Sequence, residues 1–276
     1  MPTARPIGVF DSGYGGLTVL KDISASLPRY DYLYLGDNAR APYGSRSFET
    51  VYRYTLQCVS WLFGQGCPLV IVACNTASAK ALRSIQQRDL ARIAPNGKIL
   101  GVIRPTTEVI GNYTHSGKVG ILATSGTVSS GSYAVEINKF FPGITVFQEA
   151  CPMWVPLIES GEYDQPGADY FVEKHMENLF LKSAAIDTVL LACTHYPLMQ
   201  EKITAQLPPG VQLLSQGKIV AVSLAGYLDR HPEIEQQCSH GGNRNFFTTD
   251  STEDFDRHGA VFFGNPVAAR HLDLDL

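Results

Sequence analysis

The chain has 276 residues, of which 45% are hydrophobic and 17% charged, which suits two globular domains and excludes a disordered or coiled-coil protein. Acidic residues outnumber basic ones by 26 to 22, and this net charge of −4 does not indicate a nucleic-acid partner. No apolar stretch approaches the roughly 20 residues of a membrane span, and Asp11 ends the first apolar run too early for a secretion signal. We therefore expect a cytoplasmic protein without a membrane partner, whose six cysteines are free thiols.

Short β-branched runs alternate with helical patterns along the chain, and this alternation predicts an α/β fold with largely parallel sheets. The predicted strands, in chain order, are 7–10, 32–35, 69–73, 99–103, 119–123, 144–147, 188–192, 211–214 and 245–249. The predicted helices are 17–27, 48–63, 77–90, 133–140, 170–181 and 220–228. A helix after nearly every strand is typical of doubly wound domains.

Two motifs occur twice along the chain at similar spacing. Ser12 and Ser125 each follow a predicted strand, precede a glycine and stand 113 residues apart. Cys74 and Cys193 also follow predicted strands and stand 119 residues apart. The near-equal offsets predict a duplicated α/β unit, with a first copy up to about residue 100 and a second from 101 to 215.

The two repeated cysteines lie at the carboxyl ends of predicted strands, which is where open α/β sheets bind ligands. Backbone N–H groups and a following helix N-terminus are expected to lower the pKa of a thiol there, so that Cys74 and Cys193 can act as nucleophiles or bases. The alternative for each is a small buried core residue. Two cysteines in equivalent settings favour chemistry over that alternative.

Three further segments carry polar groups next to predicted strand ends. Segment 11–16, DSGYGG, could hold an anion with its backbone N–H groups, and a glycine turn is the alternative. Segment 36–44, GDNARAPYG, is rich in backbone donors, and a solvated turn is its alternative. His195, two residues after Cys193, could hydrogen-bond a thiolate or serve only a structural role.

The sequence offers no typical site for a metal or an organic cofactor. Cys238 and His240 have no matching pair of ligands, and neither repeated cysteine has a second thiol at ligand spacing. No G-x-S-x-G motif is present, and no lysine has a setting that favours a Schiff base with pyridoxal phosphate. We therefore expect no metal and no pyridoxal phosphate, and chemistry centred on two thiols.

Five segments that span nearly the whole chain resemble motifs of glutamate racemases, within the cofactor-independent aspartate/glutamate racemase superfamily. They are FDSGYGGL at 10–17, ARAPYG at 39–44, ACNTAS at 73–78, ACTHYPL at 192–198 and FTT at 247–249. The resemblance implies two pseudo-symmetric, doubly wound α/β domains with an interdomain active-site cleft and a thiol on each wall. The resemblance also implies that residues 216–276 pack with the first domain, which gives domains of 1–100 plus 216–276 and of 101–215.

The resemblance also implies an activity: interconversion of L-glutamate and D-glutamate in the bacterial cytoplasm, supplying D-glutamate for peptidoglycan. Cys74 and Cys193 would be the two bases, with Asp11 assisting Cys74 and His195 assisting Cys193. The residues implied to hold the substrate are Asp11, Ser12, Pro42, Tyr43, Gly44, Asn75, Thr76, Thr127, Thr194 and His195. The implied accessory carboxylates are Asp37 and Glu159.

Two bases are what racemisation requires, because a planar intermediate held in a cleft cannot turn over and each face needs its own proton carrier. Two alternatives stay open. One is a superfamily racemase that acts on aspartate or a hydantoin, and the other is a non-catalytic two-domain protein that binds an amino acid. A binding protein has no need of paired cysteines. The expected partner is therefore the small molecule glutamate, and a homodimer is left open.

Overall fold

The computed structural model describes residues 5–274, and within that range the backbone forms ten strands. They are β1 (Ile7–Asp11), β2 (Tyr32–Gly36), β3 (Leu69–Val72), β4 (Lys98–Gly101), β5 (Lys118–Ala123), β6 (Thr145–Ala150), β7 (Thr188–Ala192), β8 (Gln212–Leu214), β9 (Arg244–Thr248) and β10 (Ala269–His271). All of their pairings are parallel. Valine, isoleucine and leucine dominate β3 and β7, which are buried along their whole length, as expected for parallel strands covered on both faces.

The helices lie between the strands in the alternation that the sequence predicts. They are α1 (Gly16–Ser26), α2 (Phe48–Gly64), α3 (Asn75–Lys80), α4 (Leu82–Arg88), α5 (Leu90–Ile93), α6 (Ile103–Thr107), α7 (Ser125–Ser130), α8 (Ser132–Phe140), α9 (Trp154–Glu159), α10 (Pro166–Lys182), α11 (Gln200–Ala205), α12 (Gly217–Arg230), α13 (Pro232–Glu235) and α14 (Thr252–Phe263). Short 3-10 turns lie at Asn38–Arg40, Ile110–Asn112, Glu162–Asp164 and Tyr196–Met199. Among residues 5–274, no helix combines the length and the apolar character needed to cross a bilayer.

The strands form two sheets, one in each of two domains. The first sheet has the order β10-β9-β2-β1-β3-β4 and the second has the order β6-β5-β7-β8. The order β2-β1-β3-β4 is therefore repeated in β6-β5-β7-β8, and the predicted two-domain α/β fold with parallel sheets is confirmed. Strand β1 pairs with β2 on one side and β3 on the other, as β5 does with β6 and β7. Connections leave such strands in opposite directions, which opens a crevice at their carboxyl ends.

The tail of the chain completes the first sheet. Strand β9 pairs with β2 along the register Tyr32↔Arg244, and β10 pairs with β9. Helix α14 then packs against α1. It begins after Ser251, whose hydroxyl oxygen accepts a hydrogen bond from the backbone N–H of Asp254 at 3.2 Å. The tail thus adds two strands and a covering helix that have no counterpart in the second sheet.

Two local predictions were wrong, and several elements were not predicted. The helix predicted at 77–90 is three short helices, broken where φ reaches −116° at Ala81 and −114° at Asp89. The strand predicted at 99–103 ends at Gly101, because Val102 is already helical and Pro105 lies in the first turn of α6, where a proline is tolerated. Helices α6, α7, α9, α11, α13 and α14 and strand β10 were not predicted: all but α14 are too short to show a period, and half of the residues of α14 are polar.

A buried carboxylate in the second domain should make stability depend on pH. Glu149 on β6 accepts hydrogen bonds from His175 at 2.8 Å, Asn178 at 3.1 Å and Lys182 at 2.6 Å. Burial alone would raise the pKa of Glu149, but these donors outweigh burial and lower its pKa below the usual 4.5. The stabilisation is therefore present above about pH 4.5 and is lost as the pH falls through the lowered value.

We accordingly expect Glu149→Gln to reduce the free energy of unfolding by about 1–3 kcal/mol at pH 7. In urea unfolding, the difference from the parent protein should shrink as the pH is lowered below 4.5. Glu136→Gln is the matched control, because Glu136 pairs with Lys139 on the surface and should contribute little. A difference from the parent that does not change with pH would contradict this assignment.

Candidate active site

A cavity of about 190 Å³ lies between the two domains, at the carboxyl edges of both sheets. The first domain lines it with Ser12, Ala41, Pro42, Tyr43, Gly44, Ser45, Cys74, Asn75 and Thr76. The second domain lines it with Thr124, Ser125, Pro152, Val155, Pro156, Glu159, Cys193, Thr194 and His195. Both repeated cysteines therefore face one cavity, and each comes from a different domain.

The two thiols occupy equivalent places after the third strand of each repeated unit. Cys74 follows β3 and precedes α3, and its Sγ accepts a hydrogen bond from the backbone N–H of Ala77 at 3.4 Å. Ser12 Oγ lies 3.4 Å from the same sulfur. Cys193 follows β7 directly, and both cysteines are at most 6% exposed. Strand topology thus brings together two thiols that are 119 residues apart in the chain.

The expectation that the helix N-terminus lowers the thiol pKa was wrong for Cys74. Burial, followed by the nearby charge of Asp11, raises the pKa of Cys74 to about 12. Hydrogen bonds from Ser12 and Ala77 act in the opposite direction but are outweighed. Burial destabilises the thiolate of Cys74 more than the N-terminus of the short helix α3 stabilises it. Cys74 is therefore a neutral thiol at pH 7 and carries a proton that it can donate.

Asp11 lies behind the cavity wall, fully buried at the end of β1. Its Oδ2 accepts from the backbone N–H of Gly13 at 3.0 Å, and its Oδ1 accepts from the hydroxyl of Thr194 at 3.3 Å. Burial raises the pKa of Asp11, against the opposing charge of His195. Asp11 therefore links the loops of the two domains and acts on Cys74 through its charge, while Ser12 is in hydrogen-bonding contact with that thiol.

His195 is the centre of a chain of three groups on the second wall. Its Nε2 lies 2.9 Å from Oε1 of Glu159, and the imidazole also hydrogen-bonds Cys193. Burial opposes a charged imidazole, but the contacts with Cys193 and Glu159 outweigh burial and raise the pKa of His195 to about 10. Phe262 of α14 packs its ring against the imidazole with the centroids 5.1 Å apart. At neutral pH this wall carries an imidazolium next to the sulfur of Cys193.

Besides Asp11, two of the sequence-predicted residues, Asp37 and Thr127, lie outside the lining of the cavity, and each is hydrogen-bonded to other protein groups. Asp37 accepts hydrogen bonds from Arg40 Nε at 2.7 Å, from the Tyr43 hydroxyl and from the Thr249 hydroxyl at 2.9 Å. It holds Tyr43 in place instead of facing a ligand. Thr127 is fully buried behind Thr124, whose hydroxyl lies 3.1 Å away. The other accessory carboxylate, Glu159, does line the cavity.

The lining residues that the sequence analysis missed are Thr124, Ser125, Ala41, Ser45 and, from α9 and the turn before it, Pro152, Val155 and Pro156. The repeat carried the signal for the first two, because Ser125 is the counterpart of Ser12 and Thr124 that of Asp11. The Thr124 hydroxyl oxygen accepts from the backbone N–H of Thr127 at 3.3 Å, capping α7 at the cavity. No sequence pattern indicated α9, whose Val155 and Pro156 form an apolar part of the wall.

This arrangement can move a proton to or from either side of a small polar molecule. The cavity is lined by the protonated thiol of Cys74, by the sulfur of Cys193 beside a cation, and by the hydroxyl-bearing residues Ser12, Thr76, Thr124 and Thr194. Throughout residues 5–274, no group of three or more histidine, cysteine, aspartate or glutamate side chains is placed to hold a metal ion.

Comparison with known proteins gives consistent matches over almost the whole chain. A family model described as Asp/Glu/Hydantoin racemase matches residues 7–224. The chain is 40% identical over 263 residues to a glutamate racemase of Geobacter metallireducens, covering 95% of this chain and 94% of that relative. A glutamate racemase structure from Bacillus anthracis matches with a TM-score of 0.89 at 31% identity, covering 99% of this chain and 98% of the other. One from Francisella tularensis, in complex with D-glutamate, gives 0.87 at 31% identity and covers 98% of both chains.

Proposed function

The chain belongs to the Asp/Glu/hydantoin racemase family, within which it is an isomerase of the glutamate racemase type, and we propose that it inverts glutamate with two thiols, Cys74 and Cys193. One observation carries the proposal: the two cysteines come from equivalent positions of two parallel sheets and line one cavity. A pair of proton carriers on two walls is what inversion of an α-carbon needs. The chain's own side chains supply both groups, so the proposed reaction requires neither pyridoxal phosphate nor a metal.

The neutral thiol of Cys74 and the imidazolium of His195 suggest the order of steps in one direction. In this direction Cys193, which lies beside the imidazolium of His195, acts as the base: as a thiolate it takes the α-proton of the substrate and becomes a thiol. The planar carbanion then receives a proton on its other face from Cys74, which becomes a thiolate. Roles are exchanged in the reverse direction. Each bond formed to hydrogen is matched by one broken, and the protons return to their starting places after one turnover in each direction.

The carbanion needs stabilisation because no cofactor delocalises its charge in this proposal. The negative charge develops on the α-carboxylate, and hydroxyl-bearing residues of both domains line the cavity that would hold it. Ser12 supplies such a hydroxyl from the first wall, where Cys74 Sγ lies 3.4 Å away and orients it. The Thr194 hydroxyl of the second wall already donates its hydrogen to Asp11, so it holds Asp11 and is not a donor to the substrate. Donors that are fixed before reaction lower the barrier without a cost of reorganisation.

Glutamate is favoured over aspartate and hydantoins because the closely matching relatives are named glutamate racemases. A protein that only binds an amino acid would not need a thiol on each wall. The physiological role that we propose is the supply of D-glutamate for peptidoglycan in the bacterial cytoplasm. Turnover of L-glutamate compared with L-aspartate by the purified protein tests the substrate directly.

The two-thiol mechanism predicts a distinctive isotope pattern. When L-glutamate is converted in D₂O and the reaction is stopped early, the D-product should carry deuterium at its α-carbon, because the donating thiol has exchanged with solvent. The remaining L-glutamate should stay almost unlabelled, because its proton leaves to the other thiol. Mass spectrometry of the separated enantiomers measures both pools, and the experiment should give the mirror pattern from D-glutamate.

The same experiment separates the alternatives. A single base serving both faces would return the original proton to part of the product and would label the starting enantiomer early. A binding protein would label neither pool. Cys67→Ala is the matched control, because Cys67 is buried in the first domain outside the cavity lining and its loss should leave the pattern unchanged.

A further inference from the structure

Behind the cavity wall, three side chains form a closed ring of hydrogen bonds. Asn75 Nδ2 donates to Gln216 Oε1 at 2.7 Å, Gln216 Nε2 donates to Tyr133 Oη at 2.7 Å, and the Tyr133 hydroxyl donates to Asn75 Oδ1 at 2.6 Å. All three side chains are buried, with exposures of 2%, 4% and 0% for Asn75, Gln216 and Tyr133. Asn75 also lines the cavity, directly after Cys74.

Each member of the ring donates one hydrogen bond and accepts one within it. This circular order sets the orientation of both amides: a flip of Asn75 would place its Oδ1 against Gln216 Oε1, and a flip of Gln216 would place its Nε2 against Asn75 Nδ2. Within the ring, Asn75 Nδ2 donates one of its two hydrogens to Gln216, so the second hydrogen is left to donate to a ligand. Asn75 Oδ1 already accepts from Tyr133. Asn75 is thereby presented to the cavity as a hydrogen-bond donor, which suits a carboxylate.

The ring is also attached to both segments that connect the domains. Gln216 immediately precedes α12, at the second passage of the chain between domains. Its second Nε2 hydrogen points to the Val102 carbonyl at 3.1 Å and the Thr106 hydroxyl at 3.0 Å, at the first passage. Tyr133 belongs to α8 of the second domain, and Asn75 to α3 of the first. One glutamine therefore joins the two connections, the second domain and a residue of the cavity wall.

We propose that Gln216 and Tyr133 are positioning residues for the racemase reaction: they hold the amide of Asn75 so that its free N–H meets a substrate carboxylate. The inference rests on the proposed function, in which the cavity takes glutamate. A buried ring of this kind is rigid only while it is complete, because loss of one member leaves two buried polar atoms without partners. The position of Asn75 thereby depends on residues at the domain junction that never touch the substrate.

Tyr133→Phe tests the inference because it removes the hydroxyl oxygen and keeps the packing of the aromatic side chain. We expect kcat/KM for glutamate to fall by about tenfold, mainly through a higher KM, since a buried group left unpaired costs about one factor of ten. In an Asn75→Ala background the same substitution should change kcat/KM by less than about twofold, because the residue through which it acts is gone. Gln216→Met, which removes the amide but approximates its shape, is a second variant and should show the same KM effect.

Tyr32→Phe is the matched control. The Tyr32 hydroxyl is also buried and donates to the Leu27 carbonyl at 2.8 Å, in the first domain and outside the cavity lining. It should lose stability but not activity. Equal activities of Tyr32→Phe and Tyr133→Phe, or additive losses in the double variant with Asn75→Ala, would overturn the inference. A parent protein that does not racemise glutamate would instead overturn the proposed function, so the two failures are distinguishable.

Discussion

Replacing Cys74 with alanine should abolish racemisation in both directions, and Cys193→Ala should do the same. Each direction needs one thiol as base and the other as acid, so neither cysteine can be spared. We expect kcat to fall by at least about a thousandfold, within the range that a positioned acid or base contributes. Polarimetry, or chiral chromatography of both enantiomers, measures the loss from L-glutamate and from D-glutamate.

Three of the four remaining cysteines provide the controls for that experiment. Cys58, Cys67 and Cys238 are buried but do not line the cavity, so their alanine variants should retain the reaction. The pKa of Cys58 is raised well above its usual value by burial, which keeps that thiol neutral. Substantial racemisation by either Cys74→Ala or Cys193→Ala would be incompatible with two thiol carriers.

His195→Asn should lower kcat/KM by about a hundredfold or more, because asparagine fills the site without carrying a charge next to Cys193. The imidazolium is lost as the pH rises through about 10, so the parent protein should lose kcat/KM over that range. Glu159→Gln removes one of the contacts that raise the pKa of His195, and this alkaline loss should therefore move to lower pH. The pH dependence of kcat/KM between pH 7 and 11 measures the shift.

Both directions of the reaction must be compared for this variant. The equilibrium constant between the enantiomers is fixed, so kcat/KM must fall by the same factor from L-glutamate and from D-glutamate. A preferential role of His195 beside Cys193 will appear as different changes in kcat and KM for the two directions. Glu136→Gln on the surface is the control for Glu159→Gln. If Glu159→Gln lost kcat/KM at the same alkaline pH as the parent protein, the result would argue against the chain of Cys193, His195 and Glu159.

Local patterns in the sequence were sufficient to predict the parallel α/β fold, the repeated unit and the equivalent strand-end positions of Cys74 and Cys193, whereas the meeting of the two thiols in one cleft was implied by the family resemblance. Parallel strands are buried on both faces, so their apolar runs are visible in the chain, and their carboxyl ends must share one edge of the sheet. The repeat added the equivalence of the two strand ends. Each of these features is predicted from residues that lie next to it in the chain.

Only the tertiary structure decided the charge states and the supporting contacts of the site. Burial by the whole domain raises the pKa of Cys74 to about 12, although its helix N-terminus alone indicated the opposite. Asp37 turns to Arg40 and away from the cavity, and Asn75 is held by Gln216, 141 residues away in the chain. Desolvation and hydrogen-bond partners are properties of what surrounds a group in space. That surrounding is assembled from distant segments, so no local pattern records it.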